Sequence, residues 1–209
     1  MISPQDAILA LREGNRRFVA GDVDAISRTG FPHQADMSGG QTPFAIILAC
    51  SDSRVPVELV FDQGFGDLFV IRVAGNVVAP SQIGSIEFAA SQFGTRLVVV
   101  LGHSDCGVVV AALKELSLQQ VHRSPNLRAI VDRVRPSIES LLKTHETADD
   151  DALTAAAVRA NIYASVERLS HGSLILEQLL ASGDLCIVGA EYCLETGEVD
   201  FFTEAAVDG

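Results

Sequence analysis

Two cysteines and a histidine lie directly after apolar runs, where each run gives way to a turn. Cys50 follows the run Phe44–Ala49, and His103 and Cys106 follow the run Leu97–Gly102. Thiolate sulfur and imidazole nitrogen are ligands that suit Zn²⁺, and three protein ligands leave one tetrahedral position open, as a catalytic zinc requires. The residue types and their placement therefore predict a zinc site with one exchangeable position.

An aspartate and an arginine accompany the first cysteine at alternating positions. Asp52 and Arg54 lie two and four residues after Cys50. A buried carboxylate beside a guanidinium is a costly arrangement that usually serves a purpose. A His-x-x-Cys pair alone is weak evidence, as is a single cysteine, so the prediction depends on both motifs occurring together.

The elements that must position these residues alternate between strands and helices. Apolar runs predict strands over 44–49, 68–73, 97–101 and 185–190, with a shorter strand over 198–203. Helical spacing predicts helices over 82–93, 106–116, 127–142 and 152–180, with an interruption near Pro136 and a break at 171–172.

Continuous Val/Ile/Leu strands that alternate with helices are typical of an α/β fold. We expect a mostly parallel central sheet of four parallel strands plus a short C-terminal strand, flanked by helices. Such folds bind ligands at the carboxyl ends of their strands, where Cys50 and His103 both fall. An amphipathic helix near the N-terminus, capped by Ser3, predicts a helical arm over 1–28 of a single domain over 1–209.

Length and charge exclude several classes of protein. The 209 residues carry a net charge of −12, which argues against a nucleic-acid or anionic-membrane surface. No apolar run reaches the length of a membrane span, and the N-terminus does not read as a secretory signal, so we expect a cytoplasmic protein. Its four cysteines should be reduced, with Cys186 and Cys193 as ordinary core residues.

Several segments of the sequence together resemble the β-class carbonic anhydrases. The matching segments are Cys50–Val55, Asp67–Phe69, Arg72–Asn76, Ser85–Ala89, Gly102–Gly107, Gly189–Tyr192 and Thr196–Val199. The similarity begins at Gly14–Phe18 and continues almost to the end of the chain. The two motifs that hold the predicted ligands are very specific in combination.

The resemblance implies one zinc ion per chain, with the ligands Cys50, His103 and Cys106. It gives Asp52 two possible roles. In a closed, inactive form the Asp52 carboxylate would itself coordinate the metal, whereas in an open form it would pair with Arg54 and leave water on the metal. The resemblance therefore implies that Asp52 and Arg54 are catalytic residues, and we expect the open form near neutral pH.

Further positions correspond to the substrate site of the family. Gln41 lies at the position of a glutamine that hydrogen-bonds substrate, and Ile47 replaces a tryptophan of the bicarbonate-inhibited subgroup, so the chain resembles the plant-type subgroup. Phe88 occupies a position where a tyrosine is often found, so the hydroxyl group is lost while the apolar character is kept. The substrate pocket implied by the resemblance also includes Phe69, Ala74 and Gly107.

The implied activity is that of a lyase, the reversible hydration of carbon dioxide to bicarbonate and a proton, by attack of zinc-bound hydroxide. One alternative is a hydrolase of carbonyl sulfide or carbon disulfide that uses the same zinc site. Another is a non-catalytic zinc-binding assembly protein, although a scaffold has no need of the Asp52–Arg54 pair. The family builds its site at a subunit interface, which implies a homodimer or homotetramer.

Overall fold

A five-stranded sheet forms the centre of the molecule, which we describe from a computed structural model covering residues 2–23, 39–118, 124–142 and 150–202. The strand order is β2-β1-β3-β4-β5. Strands β1 to β4 are parallel, and β5 pairs antiparallel with β4. The strands are β1 (Ala45–Ala49), β2 (Leu68–Arg72), β3 (Leu97–His103), β4 (Cys186–Tyr192) and β5 (Val199–Phe201).

Helices precede the sheet and connect its strands. They are α1 (Pro4–Ala20), α2 (Val57–Val60), α3 (Pro80–Gln92), α4 (Gly107–Leu118), α5 (Pro125–Leu142), α6 (Asp150–His171) and α7 (Leu174–Ala181), with a 3₁₀ turn over Ala74–Asn76. The α/β class and the mostly parallel sheet predicted from the sequence are thus confirmed. Among the described helices, none combines the length and the apolar character needed to cross a bilayer.

Alternating side chains of the buried strands supply a core on each face of the sheet. Ile46, Leu48, Val98 and Val100 belong to the core that includes residues of α3 to α7. On the other face, Ile47, Val99 and Leu101 pack with residues of α1 and α2. Burial on both faces explains why β1 and β3 are continuously apolar in the sequence.

Helix α1 packs on the sheet of its own chain through a buried polar side chain. The amide nitrogen of Asn15 donates hydrogen bonds to the carbonyl oxygens of Val60 (3.1 Å) and Gly197 (2.8 Å), and its oxygen accepts one from the Val199 N–H (2.9 Å). Gly14 permits this close approach, because a Cβ there would lie 1.7 Å from a backbone oxygen of Phe61. Residues 24–28 of the predicted arm lie outside the described residues.

Helix α5 differs from the sequence prediction, because it continues through Pro136 without an interruption. A proline inside a helix removes one backbone hydrogen bond and usually kinks or ends the helix. Here Pro136 is exposed, while Val134 and Ile138 on either side of it are fully buried. Tertiary packing of these two side chains therefore holds the helix together across the proline. The predicted break at 171–172 does separate α6 from α7.

Candidate metal centre

The predicted ligands meet at the carboxyl edge of the sheet. Because β1, β2 and β3 are parallel, Ala49 at the end of β1 lies beside Arg72 on one neighbour and Leu101 on the other. Cys50 follows β1 directly, His103 is the last residue of β3, and Cys106 precedes the first turn of α4. Two buried strands and one helix start thus fix the three side chains.

The three ligand atoms are close enough to share one metal ion. The sulfurs of Cys50 and Cys106 and a ring nitrogen of His103 all lie within 4.8 Å of one another, and all three residues are buried. Within the described part of the chain, this is the one group of three or more His, Cys, Asp or Glu residues that meets this geometry.

The orientation of His103 suits a metal ligand. Its Nδ1 lies 2.8 Å from the carbonyl oxygen of Ser104. A carbonyl can only accept, so Nδ1 carries the proton and Nε2 presents its lone pair. Nε2 is buried and has no hydrogen-bond partner among the described residues. A buried nitrogen lone pair without a donor fits a bound cation.

The two cysteine sulfurs interact strongly with each other. A hydrogen bond from Cys106, the nearby imidazole of His103 and the Gly75 N–H (3.3 Å) lower the pKa of the Cys50 thiol despite its burial. The hydrogen bond to Cys50 and burial raise the pKa of Cys106. One negative charge is thus favoured on the sulfur pair, and a second thiolate needs a cation beside it. The donor set fits Zn²⁺, which binds thiolates and a neutral imidazole.

Asp52 and Arg54 form a two-pronged ion pair beside the ligands. Arg54 donates from Nε to Oδ1 of Asp52 (3.0 Å) and from Nη2 to Oδ2 (2.8 Å), and the Arg54 N–H also donates to Oδ1 (2.9 Å). These bonds hold the pKa of the Asp52 carboxyl well below its ordinary value. Oδ2 lies 3.9 Å from Nε2 of His103, so an ionised carboxylate that is already paired faces the ligand cluster.

Arg72 supports the same loop, and we did not assign it a role from the sequence. Its guanidinium donates to the carbonyl oxygens of Cys50 (3.1 Å) and Asp52 (2.6 Å). The sequence does contain a feature that points to such a role, because a charged residue, Arg72, ends the otherwise apolar strand β2. The partners could not be found without knowing that β2 pairs with β1.

The residues predicted to line the substrate pocket lie in different settings. The rings of Phe69 and Phe88 are 6.4 Å apart, and Phe93 packs against both, at 6.1 Å and 5.6 Å between ring centroids. Phe88 is nevertheless 53% exposed. The other predicted pocket residues are Ala74 in the 3₁₀ turn, Gly107 at the start of α4 and Gln41. The side chain of Gln41 is exposed, and among the described residues it makes no hydrogen bond to Cys50, His103 or Cys106.

Comparisons with known proteins agree on one family. A family model described as carbonic anhydrase matches residues 45–199. The chain is 39% identical over 195 residues to carbonic anhydrase 2 of Mycobacterium tuberculosis, covering 93% of this chain and 91% of that protein. A carbonic anhydrase of Mycolicibacterium smegmatis is also 39% identical, over 95% of this chain and 93% of that protein. Among solved structures, the β-carbonic anhydrase CcaA aligns with a TM-score of 0.72 at 28% identity, over 97% of this chain and 94% of that chain.

Proposed function

We propose a zinc-dependent mechanism for this chain, which belongs to the β class of the carbonic anhydrases. In this proposal the protein hydrates carbon dioxide reversibly to bicarbonate and a proton, with one zinc ion per chain held by Cys50, His103 and Cys106. The observation that carries the proposal is the buried cluster of two sulfurs and one imidazole nitrogen beside the paired carboxylate of Asp52.

The three ligands have distinct tasks in holding the metal. Cys50 and Cys106 supply negative charge, and His103 supplies a neutral nitrogen oriented by Ser104. A bound zinc supplies Lewis acidity that brings the pKa of water down toward neutrality. Because three protein ligands are present, one coordination position stays available for chemistry.

Asp52 orients the attacking oxygen in this mechanism. Its carboxylate stays ionised at neutral pH because Arg54 pairs with both of its oxygens. An ionised carboxylate only accepts hydrogen bonds, so Asp52 fixes the direction of the O–H group of the nucleophile and points the lone pair of that oxygen toward carbon dioxide. Engagement of both carboxylate oxygens with Arg54 supports the open form, in which Asp52 is not a metal ligand.

Carbon dioxide is apolar overall, and an apolar wall suits it. We propose that Phe69, Ala74 and Phe88 form this wall, with Gly107 at the start of α4 beside the ligands and Gln41 as a hydrogen-bond donor to the oxygens of the substrate. The contacts among Phe69, Phe88 and Phe93 support such a surface. Together, Gln41 and the Asp52–Arg54 pairing support assignment to the plant-type subgroup.

We also propose that the chain works as a homodimer or homotetramer and that residues 1–209 fold as one domain with an N-terminal arm. The half-exposed ring of Phe88 supports a subunit contact, because a large apolar side chain at a substrate site gains from being covered. Light scattering on the active protein tests this proposal. A fully active monomer would contradict the oligomer.

Stopped-flow hydration of carbon dioxide, with zinc content assayed on the same sample, tests the proposed activity. We expect fast hydration and about one zinc per chain, with a rate that rises across about pH 6.5 to about pH 9 as more water ionises. Zinc bound without hydration at any pH would contradict the proposal. The same sample would then be tried with carbonyl sulfide, to separate a sulfide hydrolase from a non-catalytic zinc protein.

A further inference from the structure

The 3₁₀ turn Ala74–Asn76 links helix α6 to a predicted metal ligand through a single residue. On one side of Gly75, its N–H donates to the sulfur of Cys50 at 3.3 Å. On the other side, its carbonyl oxygen accepts a hydrogen bond from the side-chain amide of Asn161 at 2.9 Å. The next carbonyl of the turn, that of Asn76, accepts one from the Ser165 hydroxyl at 3.2 Å.

The backbone of this turn needs external support to keep its shape. Gly75 has a φ of 72° and Asn76 has a φ of 43°, both in the left-handed region. Glycine adopts this region freely, and asparagine enters it more readily than most residues but still sparsely, so the conformation at Asn76 depends in part on its surroundings. A Cβ on Gly75 would lie 3.0 Å from Val108 Cγ1, so α4 also packs tightly against the turn.

Helix α6 is placed to give that support. Asn161 and Ser165 are four residues apart, so they lie on the same face of the helix, and they are only 2% and 4% exposed. Between them in sequence, Ile162 packs so closely over Gly102 of β3 that a Cβ on Gly102 would lie 2.5 Å from its Cδ1. The absence of a side chain at Gly102 therefore lets α6 sit close to β3 and bring both donors to the turn.

We propose that Asn161 is a positioning residue for the metal centre, acting through Gly75. By holding the Gly75 carbonyl it keeps the Gly75 N–H aimed at the Cys50 sulfur. That hydrogen bond draws charge from the thiolate and fixes its direction toward the metal. Hydrogen bonds to ligand atoms tune metal affinity in this way. The proposal rests on the proposed function, because it requires that Cys50 binds zinc.

Replacing Asn161 with leucine tests the idea, since leucine has a similar shape and no donor. Ser165→Ala is the matched control, because it removes a buried donor to the same turn but leaves the Gly75 bond. Zinc affinity of each protein is measured by competition with a chelator, and the cobalt-substituted proteins are compared by absorption. We expect Asn161→Leu to weaken zinc binding about tenfold and to move the thiolate-to-cobalt charge-transfer band to lower energy. Ser165→Ala should leave the band in place.

A second measurement reports on the Gly75 bond itself and does not depend on catalysis. In ¹¹³Cd-substituted protein, a scalar coupling between the Gly75 amide proton and the metal, transmitted through the Cys50 sulfur, is expected in the wild type. We expect this coupling to be lost in Asn161→Leu. If that variant does not fold, Asn161→Ser, whose hydroxyl is too short to reach the carbonyl, replaces it in all three measurements.

Three outcomes would overturn the inference. Unchanged affinity and an unchanged cobalt band in the Asn161 variant would show that the hydrogen bond has no effect on the metal. Equal changes in both variants, in proportion to their loss of thermal stability, would show a general structural role. A wild-type protein that binds no zinc would overturn the proposed function and the inference with it. The first two outcomes, in which the wild-type protein does bind zinc, would overturn the inference alone.

Discussion

The contact between Gly102 and Ile162 gives a prediction whose size follows from the packing. In Gly102→Ala, the new Cβ would lie 2.5 Å from Cδ1 and 2.6 Å from Cγ1 of Ile162, whereas carbon atoms pack at about 3.5–4.0 Å. The isoleucine must therefore move by about 1 Å in a closely packed interior. Overpacking of this kind costs about 1–3 kcal/mol, and full burial of Ile162 leads us to expect about 2 kcal/mol.

A double-mutant cycle isolates this contact. Ile162→Ala alone should leave a cavity and lower the free energy of unfolding by about 2–5 kcal/mol. In the double variant the clash is removed, and the methyl group introduced at position 102 would fill part of the cavity. We therefore expect the double variant to be more stable than the sum of the single effects predicts, by about 1–3 kcal/mol.

Equilibrium urea unfolding of the zinc-loaded proteins, followed by circular dichroism, measures each free energy. A matched control is Gly84→Ala in α3, where a Cβ would meet nothing within 4 Å; in a helix interior this change should stabilise by about 0.5–1 kcal/mol. Additive effects of the two core substitutions, within about 0.5 kcal/mol, would refute the packing argument. If Gly84→Ala lowered the free energy of unfolding as much as Gly102→Ala does, the loss in Gly102→Ala could not be attributed to the clash with Ile162.

The remaining predictions concern the metal centre. Asp52→Asn should keep the fold and the zinc and lower the hydration rate at least about 100-fold, so a stopped-flow rate near wild type would contradict the role of Asp52. Arg54→Ala should release Asp52 to bind the metal and leave a closed, inactive protein, which an active variant would exclude. The Arg54 pair holds the pKa of Asp52 below about 3.9, so it stabilises the fold above about pH 4, and this contribution is lost as pH falls. In the metal-free proteins, where no cation replaces the arginine, the acid limb of a stability-versus-pH curve should therefore flatten in Arg54→Ala. Cys50→Ser should lose zinc on dialysis while Cys193→Ser keeps about one zinc per chain, and equal zinc contents by metal analysis would disprove the ligand assignment.

Much of the fold could be predicted because the strands are buried on both faces. The apolar runs that became β1 and β3 end within two residues of the predicted positions, and the parallel arrangement follows from the helices between them. The proximity of Cys50 to His103 follows from the same reasoning, since parallel strands end at one edge. The path of α5 through Pro136 could not be predicted, because it depends on the burial of Val134 and Ile138 by other helices.

The supporting hydrogen bonds could not be predicted for a different reason. Asn161 is 86 residues from Gly75 along the chain, and nothing local marks it as a partner of a turn at the metal centre. Arg72 donates to the backbone carbonyl oxygens of Cys50 and Asp52. Every residue has such a carbonyl, so the residue types cannot indicate which ones accept these bonds. Local motifs thus identify the ligands, while the residues that orient them depend on tertiary structure.

The bonds made by Asn15 have a consequence for the order in which the chain can fold during synthesis. One side chain of α1 joins the carbonyl of Gly197 and the N–H of Val199, so α1 cannot complete its contacts until residues 197–199 have been translated. Until then its buried face, including Ala7 and Leu11, lacks the β5 side of its binding surface. The apolar face of α1 therefore stays incompletely covered while residues 21–196 are being made. A nascent chain arrested before residue 197 should leave this helix more accessible to chaperones and proteases than a chain extended past residue 199.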